Sequence, residues 1–397
     1  MKSVRDVAIA GKRVFIRVDF NVPLDDQGHI TDDTRIKAHF PTIRYVLDQK
    51  GKVILASHLG RPKGKRVEKY SLKPVSRRLS ELLGRPIIFV DDCVGPEAEK
   101  AVAAMKEGEI VLLENLRFHA EEEKNDKGFA RELARLCDVY VDDAFAVAHR
   151  GHASNAGITG YVSECAAGLL LSRELDYLKK ATEDPVRPLV AIIGGAKVSD
   201  KIGVLEKLTE KVDTLIIGGG MAFTFLRALG HEVGKSLCEQ DMLDVARSIM
   251  AKAGERHVRL YLPVDCVVAQ QASVDAVTKC VTVQEIPKEW MALDIGPAST
   301  TLFGEALADA RTIVWNGPMG MFELAPFSRG TFGLVTFVAS AHALSIVGGG
   351  DTDTAVHQAG EAARISYIST GGGAFLEVLE GKTMPAVEAL ETCGGER

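Results

Sequence analysis

The sequence predicts an α/β chain built from two doubly wound parallel sheets, on three observations. At 397 residues the chain is long enough for two to three domains of about 150 residues each. Short, near-continuous apolar runs alternate with helical stretches, the pattern of strands buried on both faces of a parallel sheet. The runs fall into two series with one helix between them, which makes two α/β domains rather than one.

In the first series the strands are VFIRVDF (14–20), KVILAS (52–57), PIIFV (86–90), EIVLLEN (109–115) and VYVDDAF (139–145). The second holds PLVAIIGG (188–195), TLIIGGG (214–220), RLYLPVD (259–265), TIVWNG (312–317), LSIVGGG (344–350) and YISTGGG (367–373). Between them, GLLLSRELDYLKKATEDP (168–185) places Leu169, Leu170, Leu175 and Leu178 close to helical spacing, and Asp184-Pro185 stops the helix. This divides the chain into a first domain over 1–167, a connecting helix over 168–185 and a second domain over 186–383, with another helix in 384–397.

Composition narrows the function classes. Hydrophobic residues make up 46% and charged residues 26%, a globular balance. The net charge of −6 argues against broad polyanion binding. Seven scattered cysteines (93, 137, 165, 238, 266, 280, 393) include no CxxC pair, so reduced, mostly buried thiols are expected rather than a disulfide framework or a zinc cluster. Charges interrupt the N-terminal MKSVRDVAIAGKRVF, against export and for a cytoplasmic protein. The uncharged stretch Phe332–Gly350 reads as a helix followed by a core strand, not a membrane span.

Ligands of open α/β sheets bind at the carboxyl ends of the strands, and the two series differ there. In the first, the strand ends carry Asp19 and Asn21 with Arg35 after a short loop, then Ser57-His58-Leu59-Gly60-Arg61, then Arg117 and His119, then His149, Arg150 and His152. Arginine offers a planar fork for phosphate and carboxylate, so four arginines at one sheet edge imply a small, multiply anionic ligand. The further basic run to Lys69 reads as a solvated loop. In the second series the ends are glycine-rich: Gly194-Gly195-Ala196-Lys197, Gly218-Gly219-Gly220, Gly348-Gly349-Gly350-Asp351-Thr352 and Gly371-Gly372-Gly373. Such turns let backbone N–H groups approach phosphate at a helix N-terminus, which favours a nucleotide. Lys197 and Lys201 place cations beside it.

Familiar motifs are absent. No strand is followed by GxGxxG, against a nicotinamide dehydrogenase. Gly230-His231-Glu232-Val233-Gly234-Lys235-Ser236 has P-loop flavour, but Leu229 stands where the first glycine belongs, and a helix cap followed by a loop is the better reading. The residues alone leave open a non-catalytic two-lobed anion binder and a kinase for another small carboxylate. Four arginines suit an acceptor that is already phosphorylated.

At RVDFNVP (17–23), SHLGRP (57–62), LENLRFH (113–119), DDAFAVAHRGHAS (142–154), GGAKVSDKI (194–202), IIGGGMAFTFL (216–226), VWNGPMGMFE (314–323), GGGDT (348–352) and TGGGAFLEVLEGK (370–382) the chain resembles the phosphoglycerate kinase family, over essentially its whole length. The resemblance implies two Rossmann-like domains joined by a hinge helix, the C-terminal segment 384–397 packing back on the first, and a cytoplasmic monomer with neither nucleic-acid nor membrane partners. It implies reversible phosphoryl transfer between 1,3-bisphosphoglycerate and ADP, with Mg²⁺ as cofactor, giving 3-phosphoglycerate and ATP. By motif, Asp19, Asn21, Arg35, His58, Leu59, Gly60, Arg61, Arg117 and Arg150 would hold the phosphoglycerate. Gly195, Lys197, Lys201, Gly219, Gly296, Glu323, Gly349, Gly350, Asp351 and Thr352 would hold the nucleotide, with Asp351 at the metal. Arg35, Lys197, Gly371 and Gly372 would serve the transferring group. Ala146-Val147 stand where the family usually has Gly-Thr, a departure that bears on the motion of the Arg150 loop.

Overall fold

A computed structural model describes residues 1–394 and separates into two compact units, Met1–Asp176 with Thr383–Arg397, and Tyr177–Lys382. The boundary falls inside the helix Leu169–Thr182, on the segment that the leucine spacing marks as helical.

The first unit holds six strands: β1 (Arg13–Arg17), β2 (Lys52–Ala56), β3 (Ile88–Val90), β4 (Ile110–Leu113), β5 (Val139–Asp142) and β6 (Cys165–Ala167). All pair in parallel, in the order β3-β4-β2-β1-β5-β6. One face of the sheet (Val14, Ile16, Val53, Leu55, Leu112, Val141) packs against Ile36, Ile43, Val46, Val75 and Leu79 from helices. The helix Lys73–Leu83 shows the logic: it turns Val75, Ser76 and Leu79 inward and stops at Gly84 in the left-handed region, where glycine bears no Cβ penalty. Strand β6 is absent from the apolar runs of the sequence. Its residues, Cys-Ala-Ala, give no strand signal by themselves; pairing with β5 and a bridge from Ser3 to Ala167 hold it extended.

The helix Pro385–Thr392 belongs to this unit, with the Ala386 N–H donating to the Ala148 carbonyl at 3.2 Å. Here the expectation of reduced thiols fails for two residues. Cys165 and Cys393, 228 positions apart in the chain, form a disulfide with Cα atoms 6.0 Å apart. The other five cysteines are free. Residues so distant in sequence carry no spacing signal, and only the return of the C-terminal helix to β6 brings them together. The final residues of the 384–397 segment, 395–397, lie outside the described residues.

The second unit carries β7 (Leu189–Ile193), β8 (Thr214–Ile217), β9 (Arg259–Tyr261), β10 (Asp265–Ala269), β11 (Lys279–Thr282), β12 (Met291–Ile295), β13 (Thr312–Asn316), β14 (Leu344–Gly348) and β15 (Tyr367–Ser369). Six form a parallel sheet in the order β15-β14-β13-β7-β8-β9. An antiparallel sheet of order β11-β10-β12 accompanies it, which the sequence does not foretell. RLYLPVD reads as one strand, yet it is divided between β9 and β10: Pro263 lacks the N–H that a continuing ladder needs. Residues 332–350 form most of the helix Arg329–Ser340 and then β14. Among the described residues no helix is long and apolar enough to cross a membrane. The P-loop-like segment begins at a helix end, as read from sequence: Ala222–Ala228 is closed by the His231 N–H on the Leu226 carbonyl, past Gly230 at φ +95°.

Candidate active site

At the carboxyl edge of the first sheet the chain leaves β1 through Asp19, which is 4% exposed. Its Oδ2 accepts from Arg35 Nη1 at 2.8 Å, its Oδ1 accepts from the Asn21 N–H at 3.2 Å, and His58 Nδ1 stands 3.8 Å from Oδ1. Asn21 Oδ1 in turn accepts from the Gly60 N–H at 2.8 Å. Gly60 turns at φ +62°, and a Cβ there would lie 2.4 Å from the Tyr70 ring. Asn115 ties the same loop down: its Oδ1 accepts from the Leu59 and Arg117 N–H groups, and its amide donates to the carbonyls of Leu59 and Tyr70. Arg117 Nη1 donates to the Gly60 carbonyl at 2.9 Å. Asp19, Asn21, Arg35, His58, Leu59, Gly60 and Arg117 therefore share one polar network. Arg61 is exposed at the end of the same loop, and the basic run through Lys69 is exposed as well.

Burial and like charge set the electrostatics of this edge. Arg117 is 3% exposed; burial pushes its guanidinium down to about 10, Arg17 and Arg150 add repulsion, and Glu123 opposes both. Its Nη2 has no hydrogen-bond partner. Burial also drives His58 well below its ordinary value, helped by Arg17 and Arg117 against Asp19. His152 is pushed down to about 3 by burial and by Arg17, Arg117 and Arg150. Burial raises the Asp19 carboxyl, but the guanidinium charges of Arg35 and Arg17 outweigh it and hold the group below its usual value. Both imidazoles are thus neutral at pH 7 beside three guanidinium groups, and Glu123 pairs with Arg117 Nε at 3.2 Å. Arg150 enters the cluster through charge, with its Nε on His149. In the loop before it, Val147 is buried, and its carbonyl accepts from the Arg150 N–H and the Asn155 amide.

Sequence reading missed Arg17 and Glu122, both fully buried beneath this edge. Arg17 donates to Ser154 Oγ at 2.8 Å and to the Val18 carbonyl, while Glu122 accepts from the Ser154 N–H and hydroxyl. A charge inside the apolar run VFIRVDF was the available signal for Arg17. Glu122, within an acidic triplet on a short helix, gave none.

In the second unit a cleft of about 510 Å³ is lined by Gly195, Gly219, Gly220, Phe223, Leu237, Asp294, Pro318, Met319, Glu323 and Asp351, among others. Its floor depends on close backbone approach. Gly219 sits at φ +68°, and a Cβ there would lie 2.6 Å from both the N and O of Gly195. Lys201 reaches from the first turn after β7 to Asn316 Oδ1 at 2.6 Å. Burial pushes its ammonium down to about 8, against the pull of Asp200 and Asp351. Asn316 Nδ2 donates to the Gly348 carbonyl, and Thr352 Oγ1 accepts from the Gly317 N–H. Gly349 precedes the helix Gly350–Gln358, and Gly371 precedes the helix Gly372–Leu379. A Cβ on Gly372 would lie 2.8 Å from the Gly349 Cα, so two helix N-termini abut, with Gly350 and Asp351 exposed at the first. Free N–H groups at paired helix starts attract phosphate.

Two predicted residues stand apart from this cluster. Lys197 is exposed in the turn 196–200, which Glu239 braces by accepting from Val198 N, Ser199 N and Ser199 Oγ. Gly296 is not among the residues lining the cleft; it precedes the helix Pro297–Ala306 and abuts the Asp265 carboxylate. Asp294, which the sequence did not single out, is in the lining; burial raises it to about 7 against the N–H groups of Gly330 and Ile295.

The phosphoglycerate kinase family model matches residues 4–382. The chain belongs to the phosphoglycerate kinase family. It is a phosphotransferase by that membership. A phosphoglycerate kinase of Geobacter metallireducens is 60% identical over 387 residues, 98% of this chain and 97% of that one. One from Desulfotalea psychrophila is 58% identical over 391 residues, 98% of this chain and all of its own. Among solved structures, the phosphoglycerate kinase of Coxiella burnetii superposes with a TM-score of 0.89 at 44% identity, covering 98% of both chains. That of Pyrococcus horikoshii does so at 0.86 and 33%, again over 98% of both.

Proposed function

We propose that the chain catalyses reversible, Mg²⁺-dependent phosphoryl transfer between the acyl phosphate of 1,3-bisphosphoglycerate and ADP, giving 3-phosphoglycerate and ATP. The observation that carries this reading is Arg117, a buried cation with a partnerless Nη2 beside Arg17 and Arg150, at the carboxyl edge of the first sheet. A doubly charged acceptor complements those guanidinium groups. Arg61 and Arg150 add phosphate forks, Asp19 and Asn21 orient the hydroxyl and carboxyl end, and Arg35 reaches the transferring group.

The second unit takes the nucleotide. Its adenine end enters the apolar cleft beside Phe223 and Leu237, and its phosphates lie against Lys201 and the turns at Gly195, Gly349 and Gly371. Lys197, exposed in the turn after β7, is the cation on the nucleotide side of the transferring phosphoryl group. The Asp351 carboxylate is exposed in the lining of the cleft, and its hard oxygen donors suit Mg²⁺. Bound there, the ion would neutralise charge on the phosphate oxygens. With acceptor and donor groups on separate units, direct transfer follows when the units close, and closure excludes the water that would otherwise take the phosphoryl group. We read the protein as a cytoplasmic monomer that binds small molecules only.

The test is an assay with 3-phosphoglycerate and MgATP, coupled to NADH oxidation through excess glyceraldehyde-phosphate dehydrogenase. Turnover that requires both substrates is expected. No turnover from folded protein that still binds nucleotide would overturn the assigned acceptor.

A further inference from the structure

We infer that His39 is a positioning residue for the acceptor end of the site, held in place by Asp143. The inference rests on the reading that Asp19 and Arg35 hold phosphoglycerate.

His39 is 1% exposed and lies between the helix Thr34–Ala38, which carries Arg35, and the helix Phe40–Asp48. The Asp19 backbone N–H donates to its Nε2 at 2.9 Å. That nitrogen therefore carries the lone pair, and the ring hydrogen sits on Nδ1, 2.7 Å from Asp143 Oδ2. Asp143 is fully buried, and its other oxygen accepts from Thr42 Oγ1 and from the Leu170 N–H, both at 2.9 Å. The Phe20 ring meets the imidazole edge-on, with centroids 5.6 Å apart. Every polar atom of the ring is thus committed, and the tautomer is set from both sides.

The consequence concerns register. Asp19 must present its carboxylate to Arg35 at 2.8 Å while its own N–H lies beyond the end of β1, where no strand partner is available for it. His39 supplies that partner and is at the same time the residue that ends the Arg35 helix. One ring thereby fixes the backbone of Asp19 and the turn that delivers Arg35, so the two acceptor-side groups are placed relative to each other by a residue that touches neither substrate. The chain spends a buried imidazole–carboxylate pair at this point, and core packing alone does not call for one.

Two substitutions separate positioning from general stability. In His39→Gln the side-chain carbonyl can occupy the Nε2 position and keep the acceptor for Asp19, while the link to Asp143 is lost. In His39→Asn the amide can occupy the Nδ1 position and keep the link to Asp143, while the acceptor for Asp19 is lost. Both variants are checked for folding by circular dichroism, then assayed as full-length enzyme. His39→Asn should raise KM for 3-phosphoglycerate about fivefold, the loss expected for one neutral hydrogen bond, with kcat and KM for MgATP within about twofold. His39→Gln should return KM for 3-phosphoglycerate to within about twofold of wild type. Native-state hydrogen exchange should find the Asp19 amide protected in wild type and His39→Gln and open in His39→Asn. In an active wild type, equal KM values for the two variants, or a rise that follows loss of stability rather than loss of the acceptor, would overturn the role of His39. A wild type that shows no phosphoglycerate-dependent turnover would instead overturn the proposed function, and the wild-type assay tells the two failures apart.

Discussion

Replacing Arg117 by methionine should abolish tight acceptor binding and leave the fold intact. Burial in the fold pushes the Arg117 guanidinium down to about 10. That displacement corresponds to about 3 kcal/mol against holding the charge, and about half of it survives a discount for water reaching the edge. Methionine removes the charge and roughly fills the side-chain volume. It also gives up the bond to the Gly60 carbonyl, worth about 1 kcal/mol. The two effects nearly cancel, so the midpoint of thermal unfolding of the first unit should stay within about 2 °C of wild type. Removing a buried arginine that is fully paired typically costs about 3–5 kcal/mol instead. Binding should respond in the opposite way. Losing two charge-assisted hydrogen bonds to an anion, at about 1.5–3 kcal/mol each, weakens 3-phosphoglycerate at least about a hundredfold. Calorimetric titration measures the affinity, and differential scanning calorimetry the stability. A drop in the midpoint of more than about 6 °C would refute the argument, because it would mean that Arg117 is a satisfied structural cation rather than one awaiting an anion.

Three further outcomes are expected. Lys201 is protonated below about 8 and loses its charge as pH rises through that value; kcat/KM for MgATP should therefore fall above pH about 8, and Lys201→Met should lower the plateau and remove that limb of the profile. Gly219→Ala would put a Cβ 2.6 Å from the Gly195 backbone at a φ of +68°, so nucleotide binding should weaken at least about tenfold with 3-phosphoglycerate affinity unchanged, as two separate titrations would show. The Cys165–Cys393 disulfide closes 228 residues of chain; thiol counting of the denatured, unreduced protein should find five of seven cysteines reactive, and Cys393→Ser should destabilise the first unit by about 2–4 kcal/mol in denaturant melts. Seven reactive thiols would refute the pairing.

The sequence by itself determined the fold class, because a strand buried on both faces must be apolar along its whole length, and such runs can be counted. All six strands of the second parallel sheet and four of the first lie within them, and β1 starts one residue before its run. The anion-binding character of one sheet edge and the glycine turns of the other were also legible, since ligands meet doubly wound sheets at strand ends and the residues just past each strand can be read directly. The tertiary structure decided what depends on neighbours. Strand β6 exists because β5 and Ser3 pair with it, not because Cys-Ala-Ala favours extension. The disulfide exists because the C-terminal helix returns to β6. Arg17, Glu122, His39 and Asp143 matter through partners as many as 137 positions away in the chain, and no local pattern reports a partner at that distance. Of the two lysines placed beside the nucleotide turn, Lys201 is half-buried and its ammonium is pushed down to about 8, whereas Lys197 is exposed. Burial is a property of the assembled fold, and it is burial that turns an ordinary side chain into one whose charge the fold has arranged to use.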